Sequence, residues 1–127
     1  RPDDDAGLDE PGRLLIRLQI QDFQMKQYDK VSVLKTANIH FGGKCVSRLV
    51  MFPDGSRATL GVIFPSVLTF DVKRRETMEI IAGECRVKLA GSEEWRIYTA
   101  DERFTVPAES SFEIEVKEML EYVCHYH

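Results

Sequence analysis

Val46-Ser47-Arg48-Leu49-Val50-Met51-Phe52-Pro53-Asp54-Gly55-Ser56-Arg57-Ala58-Thr59-Leu60-Gly61-Val62-Ile63-Phe64 is the stretch that decides the fold. Val46, Leu49 and Met51 precede a Pro-Asp-Gly turn, and Leu60, Val62 and Phe64 follow it, which is the pattern of two strands joined as a hairpin. On either side the same rhythm continues. After Lys35 short stretches rich in Val, Ile, Phe, Tyr and Thr are broken by Gly42-Gly43, Gly83-Glu84, Gly91-Ser92 and Pro107. Phe112, Ile114 and Val116 alternate with Glu113, Glu115 and Lys117, so one face of that strand is apolar and the other solvated. No useful length of helical period follows residue 40 and there is no internal repeat. The expectation is an all-β fold, a sandwich or a barrel.

Towards the N-terminus the pattern changes. Arg1 to Gly12 carry Asp3, Asp4, Asp5, Asp9 and Glu10 with almost nothing apolar, too little burial to offset the entropy of ordering, so 1–12 is expected to be a disordered acidic tail. In 13–36 the evidence is divided: Leu14, Ile16, Leu18 and Ile20 alternate like a strand, while Leu14, Leu15, Leu18 and Met25 also suit a helix. Its structure stays open. Residues 37–127 form the expected domain.

The 127 residues are 43% hydrophobic and 30% charged, the balance of one compact domain able to bury its own core. A formal net charge of −4 argues against bulk attraction to nucleic acid or an anionic membrane, because neutralising phosphates needs a surplus of Lys and Arg. Cys45, Cys85 and Cys124 are odd in number and lack CxxC spacing, so neither a disulfide framework nor a structural zinc site is suggested. With an acidic start where a secretory signal is basic and then apolar, a reducing, cytoplasmic compartment is expected.

Several ordered segments carry a family resemblance. Phe41-Gly42-Gly43-Lys44, Ser47-Arg48 and Asp54-Gly55-Ser56-Arg57-Ala58-Thr59-Leu60-Gly61-Val62 resemble the opening of the small single-cupin pyrimidine/purine nucleoside phosphorylases. Thr69-Phe70 and Glu76-Thr77-Met78-Glu79-Ile80-Ile81-Ala82-Gly83-Glu84 resemble that family's middle. Trp95, Tyr98, Phe104-Thr105-Val106-Pro107-Ala108-Glu109-Ser110-Ser111-Phe112 and Tyr122-x-Cys124-x-Tyr126 are similar to its end. The resemblance runs in order from Ala37 to the C-terminus. It implies a homodimeric jelly-roll cupin barrel that splits purine and pyrimidine nucleosides with broad specificity. Inorganic phosphate would be the co-substrate and no cofactor is implied, the products being free base and pentose 1-phosphate. Two positions depart from the pattern: the family usually has Gly where Asp101 stands, and some members have Arg where His125 stands.

Phosphorolysis of an N-glycosidic bond passes through a sugar with oxocarbenium character, attacked by phosphate. It needs cationic donors for phosphate, an acceptor for the ribose hydroxyls and a flat apolar surface for the base. Arg57 is the first choice for phosphate, its alternative being a solvated hairpin arginine; Lys44, Arg48 and His125 are further candidates that would otherwise be rim charges. Glu76 is the chosen acceptor, because Met78 and Ile80 share its face. Its alternative is an ion pair with Lys73, Arg74 or Arg75. Phe70, Tyr98, Phe104 and Tyr122 suit stacking on a base or packing in the core, and Met78 suits a pocket wall or packing. Glu79 and Glu84 are expected to face solvent.

Many cupins hold a metal through a His-x-His…Glu…His set, which this sequence lacks. His40, His125 and His127 are its only histidines, and no metal is expected. Cys124 and His125 are strand neighbours pointing to opposite faces, which argues against a Cys-His catalytic pair. Lys73-Arg74-Arg75 is read as a solvated loop. Two further functions fit the same sequence: a non-catalytic cupin binding a nucleoside or sugar, and a dimeric interaction protein.

Overall fold

The computed structural model describes residues 26–127. The acidic tail 1–12 and the extension up to residue 25 lie outside the described residues. Of the extension, Ser32–Val33 forms a short strand, β1, paired antiparallel with the strand at Val50–Met51. The rest follows as β2 Asn38–His40, β3 Cys45–Met51, β4 Arg57–Ile63, β5 Ser66–Val72 and β6 Glu76–Ala82. Then come β7 Glu84–Leu89, β8 Arg96–Thr99, β9 Arg103–Val106, β10 Ser110–Val116 and β11 Leu120–Tyr126. No α-helix occurs among the described residues; a 3-10 turn at Phe41–Gly43 is the one helical element.

Two antiparallel sheets face each other. The larger runs β1-β3-β4-β11-β6-β9, with β2 also on β3, and the smaller runs β5-β10-β7-β8. Strands distant in the chain lie side by side: β11 returns between β4 and β6, and β10 between β5 and β7. This interleaving is the jelly-roll arrangement, in which inward residues of both sheets make one core.

Local chemistry explains the elements. The hairpin expected at 46–64 is β3–β4, and its turn is closed by Phe52 N–H on Ser56 O and Gly55 N–H on Phe52 O, both 2.9 Å. Asp54 Oδ1 accepts the Ser56 N–H at 2.8 Å, and Gly55 adopts φ 90°, a region costly for residues with a Cβ. In β10, Phe112, Ile114 and Val116 point inward. Their neighbours Glu113 and Glu115 face outward, opposite Lys88 and Arg86 of β7, with Lys88 Nζ 3.4 Å from Glu113 and Arg86 paired to Glu115. Arg86 also lies over the Trp95 ring, 4.6 Å from its centroid.

Ile63, Ile80, Ile114 and Leu120 are completely buried between the sheets. Each such side chain stabilises the fold by about 1.5–3 kcal/mol relative to exposure. Cys45, Cys85 and Cys124 are buried and free. No helix among the described residues is long and apolar enough to cross a membrane.

Candidate active site

Between the sheets lies a cavity of about 680 Å³. That size falls within the ~300–1,000 Å³ usual for small-ligand sites. Its floor follows from strand alternation. Across the larger sheet one inward rung is Ser47–Gly61–Tyr122–Ile80, the next Leu49–Thr59–Cys124–Met78–Phe104, and beyond them Tyr126–Glu76–Val106. Ser47, Thr59, Tyr122, Cys124, Met78, Tyr126 and Glu76 all line the cavity.

The smaller sheet supplies rings. Phe70 and Phe112 are direct cross-strand partners, stacked with centroids 5.3 Å apart and planes 18° from parallel. Phe41 meets Phe70 edge-on at 5.1 Å. These three line the cavity, and His40, Asp71, Lys73 and Arg74 form an exposed, charged rim. Tyr98 and Phe104 belong to the same chain of rings, 4.8 Å from each other and with Phe104 5.6 Å from Phe112. They stand behind Phe112 and outside the lining.

Tyr122 owes its position to a missing side chain. A Cβ on Gly61 would stand 2.5 Å from both Cζ and Oη of Tyr122, so only glycine lets the ring lie across β4. The ring's Oη then reaches Cys45 Sγ at 3.3 Å. One rung away Tyr126 Oη and Thr59 Oγ1 are 3.2 Å apart.

Glu76 is half-buried and makes no ion pair among the described residues. The expected alternative, pairing with the basic run, is therefore not its environment; Arg74 instead donates to His127 O at 2.8 Å. Burial raises the Glu76 carboxyl above the ordinary carboxylate range, and the neighbouring Cys124 thiol works against that shift. Burial raises Cys45 and Cys124 as well, so both thiols are protonated at neutral pH and are not thiolate nucleophiles. The Tyr126 hydroxyl is pushed up to about 12, again chiefly by burial.

Of the residues singled out in the sequence, Glu76, Phe70, Met78 and Tyr122 come together in the cavity. Arg57 opens β4 two residues before Thr59 and so shares its inward face, exposed and beyond the lining. Lys44 is exposed at the end of the 3-10 turn. Arg48 lies on the outer face of β3, its Nε donating to Lys35 O at 3.4 Å. His125 also faces outward, its Nε2 2.9 Å from Glu79 Oε1. The expectation that Glu79 faces solvent is corrected: its side chain is only 14% exposed and pairs with His125.

The basic run is an exposed loop between β5 and β6, and two of its members, Lys73 and Arg74, stand on the cavity rim. Cys124 and Tyr126 were not singled out as site residues. The signal for both was present, since residues two and four after an inward Tyr122 on a strand must also point inward. Cys45, Ser47 and Thr59 had no such cue. Among the described residues no group of three or more His, Cys, Asp or Glu converges in a way that would hold a metal ion.

The jelly-roll barrel has the cupin fold. Its fold is shared with the cupin domain of Schizosaccharomyces pombe Cnp3, at a TM-score of 0.55 and 15% identity over 72% of this chain and 67% of that one. Residues 35–126 match the family described as pyrimidine/purine nucleoside phosphorylase, and the chain belongs to that family. The pyrimidine/purine nucleoside phosphorylase of Cupriavidus necator is 60% identical over 103 residues, covering 81% of this chain and 98% of the relative. A crystal structure of a protein of unknown function from Acinetobacter sp. ADP1 is 50% identical with a TM-score of 0.78, covering 80% of this chain and 98% of that one.

Proposed function

We propose that the cavity binds a nucleoside with inorganic phosphate and catalyses phosphorolysis with broad base tolerance. The C1′–N glycosidic bond breaks and its electron pair leaves with the base, which takes up a proton. A phosphate oxygen forms the new C1′–O bond, giving pentose 1-phosphate. The observation that carries this reading is Glu76, an inward carboxylate without a cationic partner among the described residues in a cavity of about 680 Å³. Burying part of a carboxylate is costly unless a ligand uses it. Here it would accept the ribose hydroxyls and favour positive charge developing at C1′.

The other groups fall into place around it. Phe70 and Phe112 offer a face on which any base can stack, because every base has a π-surface, and Tyr122 and Met78 form the opposing wall. Lys73 and Arg74 on the rim, with Arg57 on the adjoining inward face, supply phosphate donors. No covalent nucleophile or resident metal is called upon.

The chain is further proposed to act as a homodimer in the cytoplasm. Exposed Ile39, Leu60 and Ile81 are apolar surface available to a second copy, and three free, buried thiols fit a reducing compartment. Light scattering would give the assembly mass, and a monomer would overturn that part.

The deciding experiment is release of free base from uridine, cytidine, adenosine, guanosine, inosine and xanthosine, with and without phosphate. Release that depends on phosphate is expected. Nucleoside binding by folded protein without release would make this a binding module.

A further inference from the structure

Phe41 stands in the turn between β2 and β3 with φ 54°, a left-handed conformation that a bulky side chain disfavours, and Gly42 and Gly43 continue it at φ 65° and 98°. Its neighbours hold it there. His40 pairs with Cys45 across β2 and β3, Lys44 N–H donates to Phe41 O at 3.3 Å, and Phe64 N–H donates to Lys44 O at 2.8 Å. Strain of this kind persists where the surrounding structure over-determines it, and it gathers at ligand clamps. Burial does not offset it: Phe41 lines the cavity yet is 42% exposed, whereas Phe112, two rings along the same series, is 2% exposed.

What the conformation secures is an angle. The rings of Phe41 and Phe70 meet at 5.1 Å with planes 78° apart, so they form a right-angled corner in the cavity wall. A flat base lying on one ring meets the other edge to face, and both contacts are favourable for aromatic groups. On the phosphorolysis reading above, we propose that Phe41 is a specificity-determining residue: with Phe70 it grips the nucleobase, and it favours two-ring over one-ring bases. A corner of this kind responds to the area of a ring and not to the groups on its edge. Every base is admitted, and a purine, which covers more of the corner, is held more tightly.

Binding of inosine and of uridine to the full chain, measured by calorimetry without phosphate, tests this. In Phe41→Ala the Kd for inosine should rise about tenfold and that for uridine about threefold or less, the scale of one lost base–aromatic stack. Phe41→Tyr, which keeps the ring, should restore both. In base release the KM for each nucleoside should follow its Kd, and the KM for phosphate should stay where it is. An unaltered inosine affinity in folded Phe41→Ala overturns the proposal, and so does an equal loss for inosine and uridine. Should that variant fail to fold, Phe41→Leu keeps the apolar bulk without the ring, and the same two outcomes overturn the proposal there. Phosphate-dependent base release that is indifferent to these substitutions would overturn this inference alone. The expected changes in affinity in a protein that releases no base with phosphate would overturn the phosphorolysis reading alone, because binding needs no turnover.

Discussion

Gly61 and Tyr122 are direct cross-strand partners, and the Tyr122 ring occupies the space that a Gly61 side chain would fill. Gly61→Ala therefore has to expel the ring or push β4 and β11 apart. We expect a loss of about 1–3 kcal/mol, the usual cost of overpacking a core, together with reduced base release because Tyr122 leaves the cavity wall. Urea unfolding of Gly61→Ala, Tyr122→Leu and the double variant checks this. The double variant should be more stable than the sum of the two losses predicts.

Glu76→Gln should lower phosphate-dependent base release by about 100-fold or more while the fold persists. Its stability has a defined pH dependence. The folded carboxyl titrates above the ordinary range because of burial, so protonation favours the folded state, and the wild-type chain loses that advantage as pH rises through the raised value. Gln does not titrate. The stability of Glu76→Gln relative to wild type should thus grow from acid to neutral pH, measured by urea midpoints across that range.

Asp101 adopts φ 73° in the turn before β9, a left-handed conformation that a Cβ disfavours. Asp101→Gly should raise stability by up to about 1 kcal/mol and leave substrate preference unaltered. Thermal unfolding with the nucleoside panel tests both parts; a lower melting temperature would show that the Asp101 side chain contributes something its backbone angle does not reveal.

For phosphate, Arg57→Ala and Arg74→Ala should each raise the KM for phosphate about tenfold, with a smaller effect on the KM for nucleoside. Initial rates at varied phosphate separate the two constants.

His125→Arg places a permanent charge on the outer face, beside Glu79 and away from the cavity. The KM for phosphate should not change. A clear fall would mean that the position reaches the site in the working assembly.

Much of this was legible because a strand repeats every two residues. Once Phe112 is inward, Ile114 and Val116 follow, and the same rule set Glu76 on one face with Met78 and Ile80. It also separated Cys124 from His125. The rule says nothing about which face of which strand is opposed. Tyr98 and Phe104 are inward yet stand behind Phe112, while Phe41, from a turn with no strand rhythm, reaches Phe70. Lys73 and Arg74 looked like any solvated basic run, and their place on the rim comes from the path between β5 and β6.

By itself the sequence determined that the chain is all-β, where its hairpin turns, and which family it resembles, since alternation and turn chemistry are local properties. The tertiary structure alone decided that Gly61 makes room for Tyr122, that Thr59, Cys124 and Tyr126 line one cavity with Glu76, and that Glu79 pairs with His125. Those relations join residues on strands far apart in the chain, and their distances are set only when β11 closes between β4 and β6.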